Sequence, residues 1–232
     1  MTDVLYESKV KNALYQSKYN RIIQFAPIRT GSTVLWQMLD YLFEDRTYTK
    51  NKWKNPNYVV KAHKLHKKYV KEGNIYLITI RNPLEAIAST IRVRFFEQPL
   101  SETFEMITLL MIDMFEQVYK IQNDPNVYVF RYEKFHNNYE IFLDKIEEIF
   151  GIKIKDEHKA EMLKKFSREG NLKSSKEFDS FQEWDTNTLV HGDHVAEKEY
   201  SWREIIQDEK MQQYLITQLK PILDKFNYTV PD

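Results

Sequence analysis

Arg21-Ile22-Ile23-Gln24-Phe25-Ala26-Pro27-Ile28-Arg29-Thr30-Gly31-Ser32-Thr33-Val34-Leu35 changes character twice within fifteen residues. Residues 21–26 are mostly apolar and include the β-branched pair Ile22-Ile23, the composition of a buried strand. Pro27 to Ser32 hold turn formers, and Thr33 to Glu44 read as the helix that follows. The same alternation recurs downstream. Tyr58-Val59-Val60-Lys61 reads as a second strand. Ile75 to Ile80 reads as a third and leads into a helical stretch from Leu84 to Phe95. Val127 to Phe130 reads as a fourth. Nearly continuous apolar strands separated by helices predict an α/β fold, with a central parallel β-sheet flanked by helices.

Later segments are helical by period. Tyr139, Phe142, Leu143, Ile146, Ile149 and Phe150 share one face, and Gly151 ends that helix. Phe104, Ile107, Met111, Met114, Phe115 and Val118 form a second face. Met211, Tyr214, Leu215, Leu219, Ile222 and Phe226 form a third, with Pro221 read as a kink or restart. Residues 171–207 have no clean period and read mostly as loop, a length that is often functional. With no repeat or Pro/Gly-rich linker, residues 1–232 are expected to form one domain. Its core motifs lie in 21–151, with a helical and loop part over 152–232. Of five glycines, Gly73, Gly151 and Gly170 sit where helix C-caps are expected. Gly31 and Gly192 have no such role.

Lys plus Arg and Asp plus Glu number 34 each, so the formal net charge is zero. No basic surplus points to nucleic acid, and any anion site must be a local cluster. The 42% hydrophobic content supports a core. The chain has no Cys, which excludes disulfides, thiolate zinc sites and cysteine nucleophiles. It is compatible with a reducing, cytoplasmic setting. The first residues lack a signal-peptide layout, and the longest apolar run stops at Asp113. A soluble chain with no membrane partner is expected.

The chemistry concentrates after the first three strands. A helix N-terminus leaves N–H groups free and carries partial positive charge, which suits phosphate. Gly31 permits close approach there. Thr30, Ser32 and Thr33 add hydroxyls, and Arg29 adds a cation. An ordinary capped turn is the plainer account. Walker A spacing is missing, and so is a Gly-x-Gly-x-x-Gly fingerprint. Lys61 and His63, two apart at the exit of the second strand, point to one side. Lys64, Lys67, Lys68 and Lys71 read as solvated. Arg81 leaves the third strand, Pro83 fits the first turn of a helix, and Ser89 lies two turns on.

These segments resemble the sulfotransferase family that uses 3′-phosphoadenosine-5′-phosphosulfate (PAPS). The stretch Ile28 to Thr33 is similar to the family's Pro-Lys-Ser-Gly-Thr-Thr loop, with Arg29 in the basic place. Lys61-Ala62-His63 is similar to its Lys-Thr-His. Arg81-Asn82-Pro83 with Ser89 is similar to its 3′-phosphate motif. Phe130-Arg131-Tyr132-Glu133 with Phe150-Gly151, and Ser201-Trp202-Arg203, resemble its later elements.

The resemblance implies sulfonate transfer from PAPS to an acceptor hydroxyl, less readily an amine, leaving PAP and using no metal. It implies His63 as general base, with Lys61 and Arg29 as catalytic cations. Arg29, Thr30, Gly31, Ser32, Thr33, Arg81 and Ser89 would hold the donor. The acceptor would be a small molecule or carbohydrate, with Trp53, Arg92, Arg94, Phe95, Phe96 and Trp184 as possible lining residues.

The chain departs from the pattern in three places. Val34 stands where the family often has an adenine-stacking Trp, Ala62 replaces Thr, and Val190-His191-Gly192-Asp193-His194 occupies the region of an Arg-Lys-Gly element. The last cluster, with His63 and His66, also admits a zinc reading, though at no recognisable spacing. Two other classes remain open on the residues alone: a kinase with a degenerate phosphate loop, and a non-catalytic binder of anions or sulfated glycans.

Overall fold

The computed structural model describes residues 13–44, 59–65, 73–95 and 100–231. Tyr58, at the start of the expected second strand, lies outside them, as do Trp53, His66, Lys67, Lys68, Lys71 and Phe96. Four parallel strands form the sheet: β1 (Arg21–Phe25), β2 (Val59–Ala62), β3 (Asn74–Ile80) and β4 (Val127–Arg131), in the order β2-β1-β3-β4. Phe25 lies beside Ala62 on one side and Ile78 on the other, while Ile80 pairs with Arg131. All four strands therefore end at one edge. The chain leaves β1 towards β2 and leaves β3 towards β4, in opposite directions. The crevice beyond β1 and β3 is the switch point at which open α/β sheets bind ligands.

Side chains alternate along each strand, so each apolar strand feeds two cores. Ile23, Phe25, Ile78 and Ile80 face α2 (Pro83–Arg92), α3 (Leu100–Ile121) and α9 (Glu209–Lys225). Ile22, Ile75 and Leu77 face α1 (Ser32–Phe43), α5 (Glu140–Phe150) and α6 (Asp156–Phe166). Every residue of β3 is buried. Burying a Leu or Ile side chain is worth about 1.5–3 kcal/mol, so the sheet that carries the site is anchored from both faces.

Several expectations need correction. Gly170 is not a C-cap. It lies within α7 (Arg168–Ser175), and its N–H donates to the capping Ser167 hydroxyl at 3.1 Å. A Cβ at this position would come within 2.4 Å of the Lys165 carbonyl oxygen, so glycine is needed where the new helix crosses the end of α6. α9 runs through Pro221, so this proline does not restart the helix. The region 171–207 contains the end of α7 and the short α8 (Trp202–Ile205). Between them the backbone is irregular, apart from one bridge between Trp184 and His191. Trp202 enters α8 behind a Ser201/Glu204 capping box and is fully buried.

Candidate active site

The turn after β1 is built on left-handed backbone. Gly31 has φ 82° and Arg29 has φ 61°. Gly31 caps the N-terminus of α1 without a side-chain bond of its own. A Cβ there would sit 2.8 Å from the Phe135 ring. Gly31→Ala is therefore expected to cost roughly 2–5 kcal/mol, combining the left-handed penalty with overpacking. Urea midpoints of the two proteins measure it, and a loss below about 0.5 kcal/mol would mean the turn tolerates a side chain.

Gly31, Ser32 and Thr33 line a cleft of about 740 Å³, together with Arg29, Lys61, His63, Arg81, Ser89 and Arg92. Thr30 differs from the expectation for its side chain. It is fully buried, its hydroxyl donates to the Pro27 carbonyl at 2.8 Å, and it lies 3.1 Å from the Thr79 hydroxyl. Thr30 thus holds the turn from behind instead of presenting a hydroxyl to the cleft.

Lys61 and His63 reach the same cleft because β2 ends one strand away from the turn. Lys61 Nζ donates to Thr33 Oγ1 at 2.8 Å. The Lys61 ammonium is pushed down to about 7 by burial and by Arg29. Arg29 is itself pushed down to about 9 by burial, Arg92 and Arg81. Among the described residues, no carboxylate pairs with either cation. Buried like charges destabilise one another unless an anion joins them.

His63 Nδ1 lies 2.9 Å from the Ala26 carbonyl oxygen, which only accepts. Nδ1 therefore carries the proton, and Nε2 keeps its lone pair. Burial and Lys61 push the imidazole down to about 4, against the opposing effect of its bond to Ala26. His63 is neutral near pH 7 and can accept a proton.

Beyond β3, Asn82 caps α2 and accepts from the Leu84 N–H at 3.1 Å. Arg81 lies 4.4 Å over the Tyr132 ring and 3.3 Å from Glu85. Ser89 Oγ accepts from Arg29 Nε at 3.1 Å, joining the first and third motifs. The other end of Arg29 donates to the His194 carbonyl at 2.7 Å, and Arg92 donates to the Asp193 carbonyl at 3.0 Å. The His-Gly-Asp-His segment is therefore brought against the cation cluster. Its histidines are held by hydrogen bonds and ring stacking, and among the described residues no group of three or more His, Asp or Glu side chains is placed to hold a metal.

No protein-family model and no curated protein matches the sequence. Solved structures do match. A mouse sulfotransferase complexed with PAP superposes at TM-score 0.59 with 16% identity, covering 90% of this chain and 85% of its own. Retinol dehydratase, complexed with androsterone and the inactive cofactor PAP, gives TM-score 0.63 at 13% identity over 94% and 84%. The sulfotransferase domain from the curacin biosynthetic pathway gives 0.51 at 13% over 95% and 100%.

The chain has the sulfotransferase fold.

Within that fold the structure adds residues that the motifs did not single out as site residues. Tyr132 sits at the exit of β4 with Arg81 on its ring and His136 stacked at 5.1 Å. Asn227, Tyr228, Thr229 and Pro231 also line the cleft. Asn82 Nδ2 donates to the Thr229 carbonyl at 2.8 Å, and Trp202 Nε1 donates to the Pro231 carbonyl at 3.1 Å. Both bonds end on backbone carbonyls, which leave no mark in a sequence, while the Tyr228 hydroxyl donates to Glu133 at 3.2 Å. No helix among the described residues is long and apolar enough to cross a membrane.

Proposed function

We propose that the protein transfers a sulfonate group from PAPS to an acceptor hydroxyl, releasing PAP. The observation that carries this reading is the pairing of Arg29 and Lys61, two cations without a carboxylate partner among the described residues, with a neutral His63 whose Nε2 is open. They stand at the switch point of a sulfotransferase fold.

The donor is polyanionic and would neutralise the buried charge. The free N–H groups at the start of α1, with Ser32 and Thr33, would hold its 5′-phosphosulfate. Arg81 and Ser89 would hold the 3′-phosphate, with Arg29 able to reach either end through its contact with Ser89. In the transfer, the acceptor oxygen attacks sulfur as the bond from sulfur to the bridging phosphate oxygen breaks. The acceptor proton passes to His63 Nε2. Arg29 and Lys61 stabilise the charge that develops on the leaving phosphate. Positioning and electrostatics carry most of the work, as in phosphoryl transfer. The same cations repel an ammonium group, which favours a hydroxyl over an amine. The acceptor would be a small molecule or a carbohydrate.

Because the chain's own cations supply this stabilisation, transfer is expected to need no divalent metal. The test is transfer of label from PAPS to an acceptor panel before and after exhaustive EDTA treatment. Unchanged initial rates are expected. A rate that collapses with EDTA and returns with one specific metal would contradict this.

A further inference from the structure

His191 repeats the arrangement of His63 in the same cleft. Its Nδ1 lies 2.7 Å from the Phe181 carbonyl oxygen, so Nδ1 is the donor and Nε2 holds a lone pair. Among the described residues nothing hydrogen-bonds that Nε2, and the ring lines the cleft shared with His63 and Lys61. The ring is tightly held. It stacks on Phe181 at 4.3 Å and 11°, and on Trp184 at 5.4 Å and 30°. Its carbonyl accepts from the Ser175 hydroxyl at 2.8 Å, and the neighbouring Gly192 N–H donates to Glu183 at 3.1 Å. A Cβ on Gly192 would come within 2.3 Å of the Ser180 carbonyl oxygen, so the loop is closed tightly behind the imidazole. Phe95 packs on Phe181 at 5.4 Å and adds an apolar wall to the same cleft.

We propose that His191 is an acceptor-binding residue whose Nε2 takes a hydrogen bond from a second hydroxyl, beside the one that His63 deprotonates. The inference rests on the sulfotransfer reading above. Two neutral imidazoles, each with its Nδ1–H committed to a carbonyl, present two acceptors and no donor. On this proposal the matching substrate carries vicinal hydroxyls, one for each imidazole. A substrate with one hydroxyl methylated leaves His191 without a donor in a partly buried site, and losing such a hydrogen bond weakens discrimination most where the site was built to use it. His191 would set KM and acceptor choice, while His63 would set turnover.

The test pairs each 1,2-diol with its mono-O-methyl ether: catechol with guaiacol, and cyclohexane-1,2-diol with 2-methoxycyclohexanol. Wild type is expected to favour the diol by about 10-fold or more in kcat/KM in at least one pair. His191→Phe keeps a ring for the stack but removes the acceptor atom, and it is expected to erase the preference mainly through KM. His191→Gln, which restores an acceptor oxygen, is expected to recover part of it. PAP affinity should stay within about 3-fold in both variants. Equal use of diol and ether by wild type, a preference that survives His191→Phe, or no transfer to either pair by a protein that binds PAP would overturn the inference. Failure of wild type to bind PAP would instead overturn the sulfotransfer reading, and the inference with it.

Discussion

His63→Ala is expected to lower kcat by about 10²–10⁴-fold, the usual contribution of a positioned general base. PAP affinity should change little, because the proposed role of the ring, fixed by Ala26, is to take the acceptor proton, whereas Arg29, Lys61 and the turn N–H groups are the proposed donor contacts. The pH profile adds a second check. kcat/KM reports the free enzyme. Its acid limb should fall near pH 4, where His63 becomes protonated and can no longer accept a proton. Its alkaline limb should fall near pH 7, where Lys61 loses the charge that attracts the donor. A bound polyanion offsets the repulsion from Arg29 and Lys61 and eases the protonated forms, so both limbs of the kcat profile should move to higher pH. Turnover within a few-fold of wild type in His63→Ala would remove the base from its assigned role.

Arg81→Ala should act on binding and leave acceptor choice alone. Arg81, the proposed 3′-phosphate contact, stands just after β3, stacked on Tyr132 and steered by Glu85. Loss of a charge-assisted contact to a phosphate is expected to weaken PAP by about 10²-fold, which is about 2.7 kcal/mol. AMP, which has no 3′-phosphate, should be nearly unaffected. Ser89→Ala should move in the same direction by less, because it removes one neutral hydroxyl and frees Arg29 from its 3.1 Å contact. Calorimetric titration of each variant with both nucleotides checks this. A parallel loss for PAP and AMP would place Arg81 elsewhere on the ligand.

The strands and their order of chemistry were legible because burial on both faces leaves runs such as Ile75 to Ile80 almost wholly apolar. Gly31 was legible as well, since a tight turn into a helix has few solutions. Gly170 was misread because a glycine after a basic helix end looks the same whether it caps that helix or lets the next one cross it. The difference lies in the Lys165 carbonyl 2.4 Å from its absent Cβ, a tertiary fact. Thr30 and Ser32 are both hydroxyl residues in one turn, and only the fold shows that Thr30 turns inward to Pro27. The His-Gly-Asp-His segment had no periodicity to place it. Arg29 and Arg92 bring it to the site through the carbonyls of His194 and Asp193, and backbone acceptors leave no mark in a sequence.

We propose that the cleft beyond β1 and β3 is a site for a 3′-phosphorylated adenine nucleotide. Calorimetric titration of the wild-type protein with PAP and with AMP, in metal-free buffer at one fixed salt concentration, tests it most directly. PAP is expected to bind at least about 100-fold more tightly than AMP, through Arg81 and Ser89. Equal binding of the two nucleotides, or tighter binding of ATP with magnesium than of PAP, would contradict it.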